Sequence, residues 1–318
     1  MRIFTLLSLV VFLGGCAFVN VDIQKPLQPL QEKVLEGEGS QKILLLDITG
    51  FISEREQTGS QFSKEKPSTV AQVKEALLKA EQDHDVAGII LRINSPGGTV
   101  TASDIIHHEI LSFKSRRTIP IYACITGLGT SGAYYVATAA DRISAHPTAV
   151  TGSIGVLLLR FNVSGLLTKV GVSEETIKSG DKKDILSPFR GSTPEEQRIV
   201  QGIIDGLYGQ FLKVILSRPG NQLTKDTLKP LADGRIYTAQ QALEAKLIDR
   251  IGYLDDDISD LKTQLHLSEA RIVSYYRPGS YKGSIYSSLD THVFNFLNIN
   301  ADGLDFLTGS QFLYLWQH

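Results

Sequence analysis

The strongest constraint on this chain is a set of short, almost unbroken apolar runs. Residues 42–48 read KILLLDI, 87–93 read AGIILRI and 119–125 read IPIYACI. Runs of this length that lack a polar face are strands covered on both sides. A fourth is expected at 141–145. Helical spacing falls between them. Val70, Val73, Ala76, Leu77 and Ala80 repeat near 3.6 residues, as do Ile105, Ile106, Ile110 and Leu111, the latter opened by Thr99 or Thr101 as a cap. Alternation of buried strands with amphipathic helices predicts an α/β fold built on a largely parallel sheet. Beyond Gly152 the pattern turns helical. Thr193, Pro194 and Glu196 form a capping-box signature for a helix reaching about Leu216, with further helices at 239–246 and 255–265. No linker interrupts 42–270, which reads as one domain.

The first residues belong to a different class. Met1 and Arg2 precede an apolar run from Ile3 to Leu13, followed by Gly14, Gly15 and Cys16. This has the layout of a signal peptide and falls short of the roughly 20 apolar residues of a membrane span. Leu13-Gly14-Gly15-Cys16 resembles a bacterial lipobox, in which the cysteine is acylated; the alternative is an uncleaved signal anchor. Either reading places the rest of the chain outside the cytoplasm and holds it at the bacterial membrane. Residues 17–41 read as a tether. The chain has two cysteines, Cys16 and Cys124, too few for a disulfide framework or a cysteine zinc site. A net charge of -2, without a basic run, gives no reason to expect a nucleic-acid partner.

Chemistry concentrates at the ends of the strands. After the run at 119–125 comes Gly127-Leu128-Gly129-Thr130-Ser131-Gly132, leading into a small-residue helix at 132–140. A serine at a strand-to-helix turn sits where backbone amides converge, which suits attack on a carbonyl. The same pattern also serves as an ordinary helix cap. Asn94-Ser95-Pro96-Gly97-Gly98 ends the second strand, and its glycines can turn an amide toward a reacting oxygen. A plain Pro-Gly turn is the bland alternative, and Ser95 is a rival nucleophile. Of seven histidines only His146 follows the serine closely, and nothing specific favours it as a base. A lysine can replace histidine if burial strips its charge from an ordinary pKa of about 10.4. Lys178, Lys182 and Lys183 are the candidates, and residue chemistry does not choose among them.

Four motifs in order resolve the choice by resemblance. Ser95-Pro96-Gly97-Gly98, Ser131-Gly132-Ala133-Tyr134-Tyr135, Thr151-Gly152-Ser153-Ile154-Gly155-Val156 and Ile177 to Asp184 (IKSGDKKD) together resemble the signal peptide peptidase A family, in its short single-domain form. The match runs over about 42–270. It implies a Clp protease and crotonase-like fold of repeated ββα units, with a helical C-terminal part. It also implies Ser131 as nucleophile, Lys183 as general base, Ser153 as the hydroxyl supporting that lysine, and Gly97 and Gly132 as oxyanion donors. Ala133 stands where the family often has glycine. No metal and no cofactor is implied. Substrates would be remnant signal peptides and other extended apolar peptides, cut by a homo-oligomer whose active sites are shared between subunits.

The last segment, 271–318, matches that family weakly. Its apolar stretches at 293–297 and 312–316 are read as docking on a neighbouring subunit or lying in the substrate groove as a peptide mimic, against plain terminal packing. Two other functions fit parts of the pattern. A crotonase-like acyl-transfer enzyme would use similar glycine turns, but export separates it from coenzyme A. A non-catalytic membrane scaffold would not need Ser131, Ser153 and Lys183 together.

Overall fold

The computed structural model describes residues 29–56, 67–278 and 311–316. The expected signal peptide at 1–16 with Cys16, the first part of the tether and the stretch at 293–297 lie outside the described residues.

Strands β2 (Lys42–Thr49), β3 (Val86–Ser95), β5 (Ile121–Thr130) and β6 (Arg142–Ala145) lie side by side and parallel. On one flank β10 (Arg250–Ile251) adds to β6 in parallel. On the other, β11 (Arg271–Tyr276) adds to β2 in parallel, and β1 (Gln31–Glu36) closes the edge antiparallel to β11. The apolar runs divide residue by residue between two layers, as strand geometry requires. Leu44, Leu46, Ile48, Ile89, Leu91, Ile93, Ala123 and Ile125 face one core, shared with helices α1 (Thr69–Gln82) and α2 (Val100–Arg116). Ile43, Leu45, Ile90, Tyr122 and Cys124 face the other, under Leu254, Ile258 and Leu261 of helix α8 (Leu254–Gln264). That is why the runs lack a polar face, and it gives the α/β fold with a largely parallel sheet that they predict.

Local signals act as expected. Thr99, not Thr101, caps α2, its hydroxyl accepting from the Ala102 N–H at 3.1 Å. Thr193 and Glu196 form the reciprocal capping box that opens α5 (Pro194–Ser217). This 24-residue helix is long and apolar enough to cross a membrane by length and composition. Its Phe211, Val214 and Ile215 are nevertheless buried in the domain, while Ile199 and Ile203 face outward.

Two boundaries differ from the sequence expectation. The supposed tether at 17–41 contains β1, so the fold begins before residue 42, and β11 carries it past 270. An edge strand needs a partner on only one side, so its largely polar sequence, with no buried residue, carries no apolar run to betray it. The third strand runs on from 125 to Thr130. There it leaves β6 and pairs with β7 (Val150–Gly152), and this detour places the site.

A deeply buried ion pair lies within the sheet. Arg92 and Asp47, on adjacent β3 and β2, have side chains 3% and 2% exposed and meet at 2.5–2.6 Å. Arg92→Met would take the guanidinium away from a buried carboxylate and is expected to cost about 3–5 kcal/mol in urea unfolding. The double change with Asp47→Asn should recover part of that loss.

Candidate active site

Ser131 stands where β5 stops and helix α3 (Gly132–Ala137) begins. Thr130 is in register with Gly152 on β7, and the next peptide turns sharply. Ser131 has φ 54°, and its N–H donates to the Gly152 carbonyl at 2.7 Å. A non-glycine residue held in so sparsely populated a conformation costs about 1–3 kcal/mol, so neighbouring contacts must enforce it. The Ser131 hydroxyl is not spent on capping α3, although the residue sits at the N-cap. Across the strand pair Ser153 also has positive φ, 51°, and its N–H donates to the Arg235 carbonyl at 2.7 Å. Two strained serines thus end two neighbouring strands. Both are buried.

The glycines of the second motif close the other side. Ile52 pairs with one edge of β4 (Gly97–Thr99): its N–H donates to the Gly97 carbonyl and its carbonyl accepts from the Thr99 N–H, each at 2.9 Å. Alternation along the strand turns Gly98 to the opposite edge. There it stands in register with Tyr314 of β12 (Phe312–Leu315). The Gly97 N–H, expected to serve an oxyanion, instead donates to Ser95 Oγ at 3.1 Å. The expected donor Gly97 thus has its N–H paired with Ser95, and of the two glycines it is Gly98 that faces β12. Gly97 has a different task. With φ 103°, a Cβ on it would lie 2.1 Å from the Tyr314 carbonyl oxygen and 2.8 Å from the Gly132 amide nitrogen. A Cβ on Gly132 would lie 3.1 Å from both the Gly98 nitrogen and the Tyr314 oxygen. Three glycine backbones and one carbonyl oxygen converge at the foot of Ser131.

The 312–316 stretch therefore docks in cis. β12 is inserted antiparallel between β4 and β8 (Leu157–Leu158), and the Trp316 N–H donates to the Pro96 carbonyl at 3.0 Å.

The rivals fall away on geometry. Ser95 is fully buried and its hydroxyl orders the Gly97 turn. His146 is buried at the end of β6, its ring 5.1 Å from that of Tyr253, and burial draws its pKa down.

Of the three lysines, Lys178 pairs with Asp184 at 2.8 Å and Lys182 with Glu195 at 2.5 Å. The Arg190 guanidinium, aided by Lys178, holds the Asp184 carboxyl well below the usual carboxylate range. Lys183 is exposed, and its side chain makes no hydrogen bond or ion pair among the described residues. One chain thus brings together Ser131, Ser153, Gly97, Gly98 and Gly132, and leaves Lys183 on an exposed loop. Sequence reasoning missed that Gly98 faces β12 and that Ile52 braces it from behind. Only the doubled glycine hinted at either.

Comparison with known proteins follows the same outline. The profile of peptidase family S49 matches residues 114–268, and that of Clp protease matches 55–150. An Enterococcus faecium protein bearing the name signal peptide peptidase SppA is 36% identical over 248 residues, 77% of this chain and 70% of that protein. A protease of Synechocystis is 42% identical over 179 residues, 56% of this chain and 63% of that one. The chloroplastic serine protease SPPA of Arabidopsis thaliana is 31% identical over 227 residues, 70% of this chain but 33% of its own length. The α/β architecture is accordingly of the Clp protease and crotonase kind.

Gly97→Ala tests the convergence. The methyl group would meet the site's backbone and force an unfavourable φ, at a cost of about 1–3 kcal/mol in stability. Hydrolysis of a fluorogenic peptide is expected to fall about a hundredfold as the turn beside Ser131 distorts. An unchanged kcat/KM would show that the close approach is not needed.

Proposed function

The chain belongs to peptidase family S49, of the signal peptide peptidase A type, and is a serine peptidase; from that premise we propose that Ser131 is its nucleophile and Lys183 of a neighbouring copy its general base. The observation that carries the first half is the enforced turn at Ser131, with an uncommitted hydroxyl beside the Gly98 and Gly132 amides. Neutral Lys183 takes the Ser131 proton as Oγ attacks the scissile carbonyl. The Gly98 and Gly132 N–H groups hold the oxyanion, each donor worth about 3–4 kcal/mol. The lysine returns the proton to the leaving amine, and water then releases the acyl group. Ser153, across the strand pair from Ser131, orients the amine.

The second half rests on where Lys183 lies. An amine acts as a base only when uncharged, and burial at an interface is what favours that form. The segment carrying it is poorly covered within one chain. Helix α4 (Ser164–Lys169) buries none of its residues, and Leu166, Val170, Val172 and Ile177 are 61%, 64%, 52% and 101% exposed. A homo-oligomer in which this apolar arm packs on the next subunit covers it and delivers the lysine to a neighbour's serine. Substrates are extended apolar peptides, remnant signal peptides among them, bound by strand pairing on β4. A lipid on Cys16, the new N-terminus once the signal peptide is cut away, anchors the enzyme at the bacterial membrane, with the peptidase domain outside the cytoplasm. No metal or cofactor takes part in this chemistry.

Complementation tests the shared site. Ser131→Ala and Lys183→Ala oligomers are each expected to be inactive against a fluorogenic peptide. Co-assembled at equal ratio, they should recover about a quarter of native activity, since each ring interface pairs one serine with one lysine at random. Activity in either single variant, or none in the mixture, would remove the arrangement.

A further inference from the structure

The arm that carries Lys183 has no core of its own. From Gly155 to Glu195 no residue is buried, and Glu196, in the first turn of α5, is the first that is. Apolar packing within one chain therefore contributes little to the shape of this segment, and polar contacts give it. Two arginines hold it. The Arg160 guanidinium donates to the Ser187 carbonyl at 2.6 Å, to the Arg190 carbonyl at 2.5 Å and to the Ser192 hydroxyl. Arg190 reaches further. Its Nε and Nη2 each donate to the Asp184 carboxylate at 2.7 Å, a planar fork meeting a planar partner. Its Nη2 and Nη1 also donate to Glu196, at 2.6 and 3.0 Å. Glu196 is fixed in turn, because its Oε2 accepts from the Thr193 N–H at 2.8 Å in the capping box. Between Asp184 and Arg190 the chain passes through Leu186 at φ 70°, a region leucine seldom enters, so the bonds at either end impose it. A continuous path thus runs from the residue beside Lys183 to the start of a 24-residue helix.

The same contacts govern a charge. Asp184 follows Lys183 in the chain, and an uncompensated carboxylate there would favour the ammonium over the free amine. Arg190 compensates it, and so does Lys178 at 2.8 Å. The neighbouring charges are matched among themselves. Lys182 pairs with Glu195 at 2.5 Å, and Asp181 is exposed to solvent, where its charge is screened. On the receiving subunit, Arg235, whose carbonyl takes the Ser153 N–H, is paired with Asp233 at 2.5 Å. We infer that Arg190 is a positioning residue for the reaction: anchored on Glu196, it aims the Lys183 turn and neutralises the carboxylate beside the reacting amine. The inference rests on Lys183 being the general base. It goes further in assigning what holds that lysine in place and what keeps its neighbour's charge from trapping a proton on it.

The pH dependence of fluorogenic peptide hydrolysis by the full-length oligomer tests this. The acid limb of kcat/KM reports the group that must lose its proton before the reaction. In Arg190→Gln the exposed charge of Asp184 holds that proton more firmly. The limb is expected to move up by about 0.5–1 pH unit. On the plateau kcat should fall about tenfold or more with KM little changed, as a misplaced amine implies. Asp184→Asn keeps the shape that Arg190 grips and removes the charge, so its limb should move down by a similar amount. Opposite shifts are a result that a merely structural role does not produce. If Arg190→Gln fails to fold or assemble, Asp184→Asn decides alone. An unmoved limb in either assembled variant, or an unchanged plateau in Arg190→Gln, would overturn the inference and keep Lys183 as base. A Lys183→Ala oligomer that cleaves at the native rate would remove the base itself, and the inference with it.

Discussion

The site depends on one hydrogen bond, from the Ser131 N–H to the Gly152 carbonyl. It locks the end of β5 to the end of β7 and so holds a serine in a backbone conformation that it would otherwise abandon. From that clasp the remaining positions follow. Gly132 starts a helix at once, so its amide has no intrahelical partner. Gly152 hands the chain to Ser153, which repeats the same unusual φ one strand over. The cost of two such residues is met by the surrounding core. Ala133, Tyr134, Tyr135, Val136 and Ala137 are all buried, and the Tyr134 hydroxyl is tied to the Leu247 carbonyl at 2.7 Å.

Glycine does a second job by subtraction. At 97, 98 and 132 an added methyl would collide with backbone or a close side chain, because Ile52, β12 and α2 all crowd the same few ångströms. The space left beside β4 takes a chain in the extended form. The docked β12 shows how such a chain fits: antiparallel, paired on both edges, with one carbonyl brought to the glycines.

Much of this was legible in the sequence. The strand runs, the capping box at Thr193 and the turn at Ser131 announce themselves through burial pattern and local chemistry. Other features leave no such mark. A positive φ at a serine is imposed by tertiary contacts, so neither Ser131 nor Ser153 could be seen to be strained. Whether Gly97 or Gly98 aims its amide at the cleft depends on Ile52 occupying the other edge, a pairing between distant segments. β1 was hidden because an edge strand needs few apolar residues. Lys183 was separable from Lys178 and Lys182 by family resemblance alone. The fold of one subunit adds a contrast, since the other two lysines have acidic partners and Lys183 has none among the described residues.

In the shared site we propose, the hydroxyl at Ser131 becomes a nucleophile only when another copy supplies the amine. The most direct measurement is the rate at which a fluorophosphonate modifies Ser131, located by peptide mapping, as the protein is diluted through dissociation of its oligomer. The rate should collapse with dissociation while the subunit stays folded by circular dichroism. Labelling of Ser131 that persists at full rate in the isolated subunit would contradict the claim.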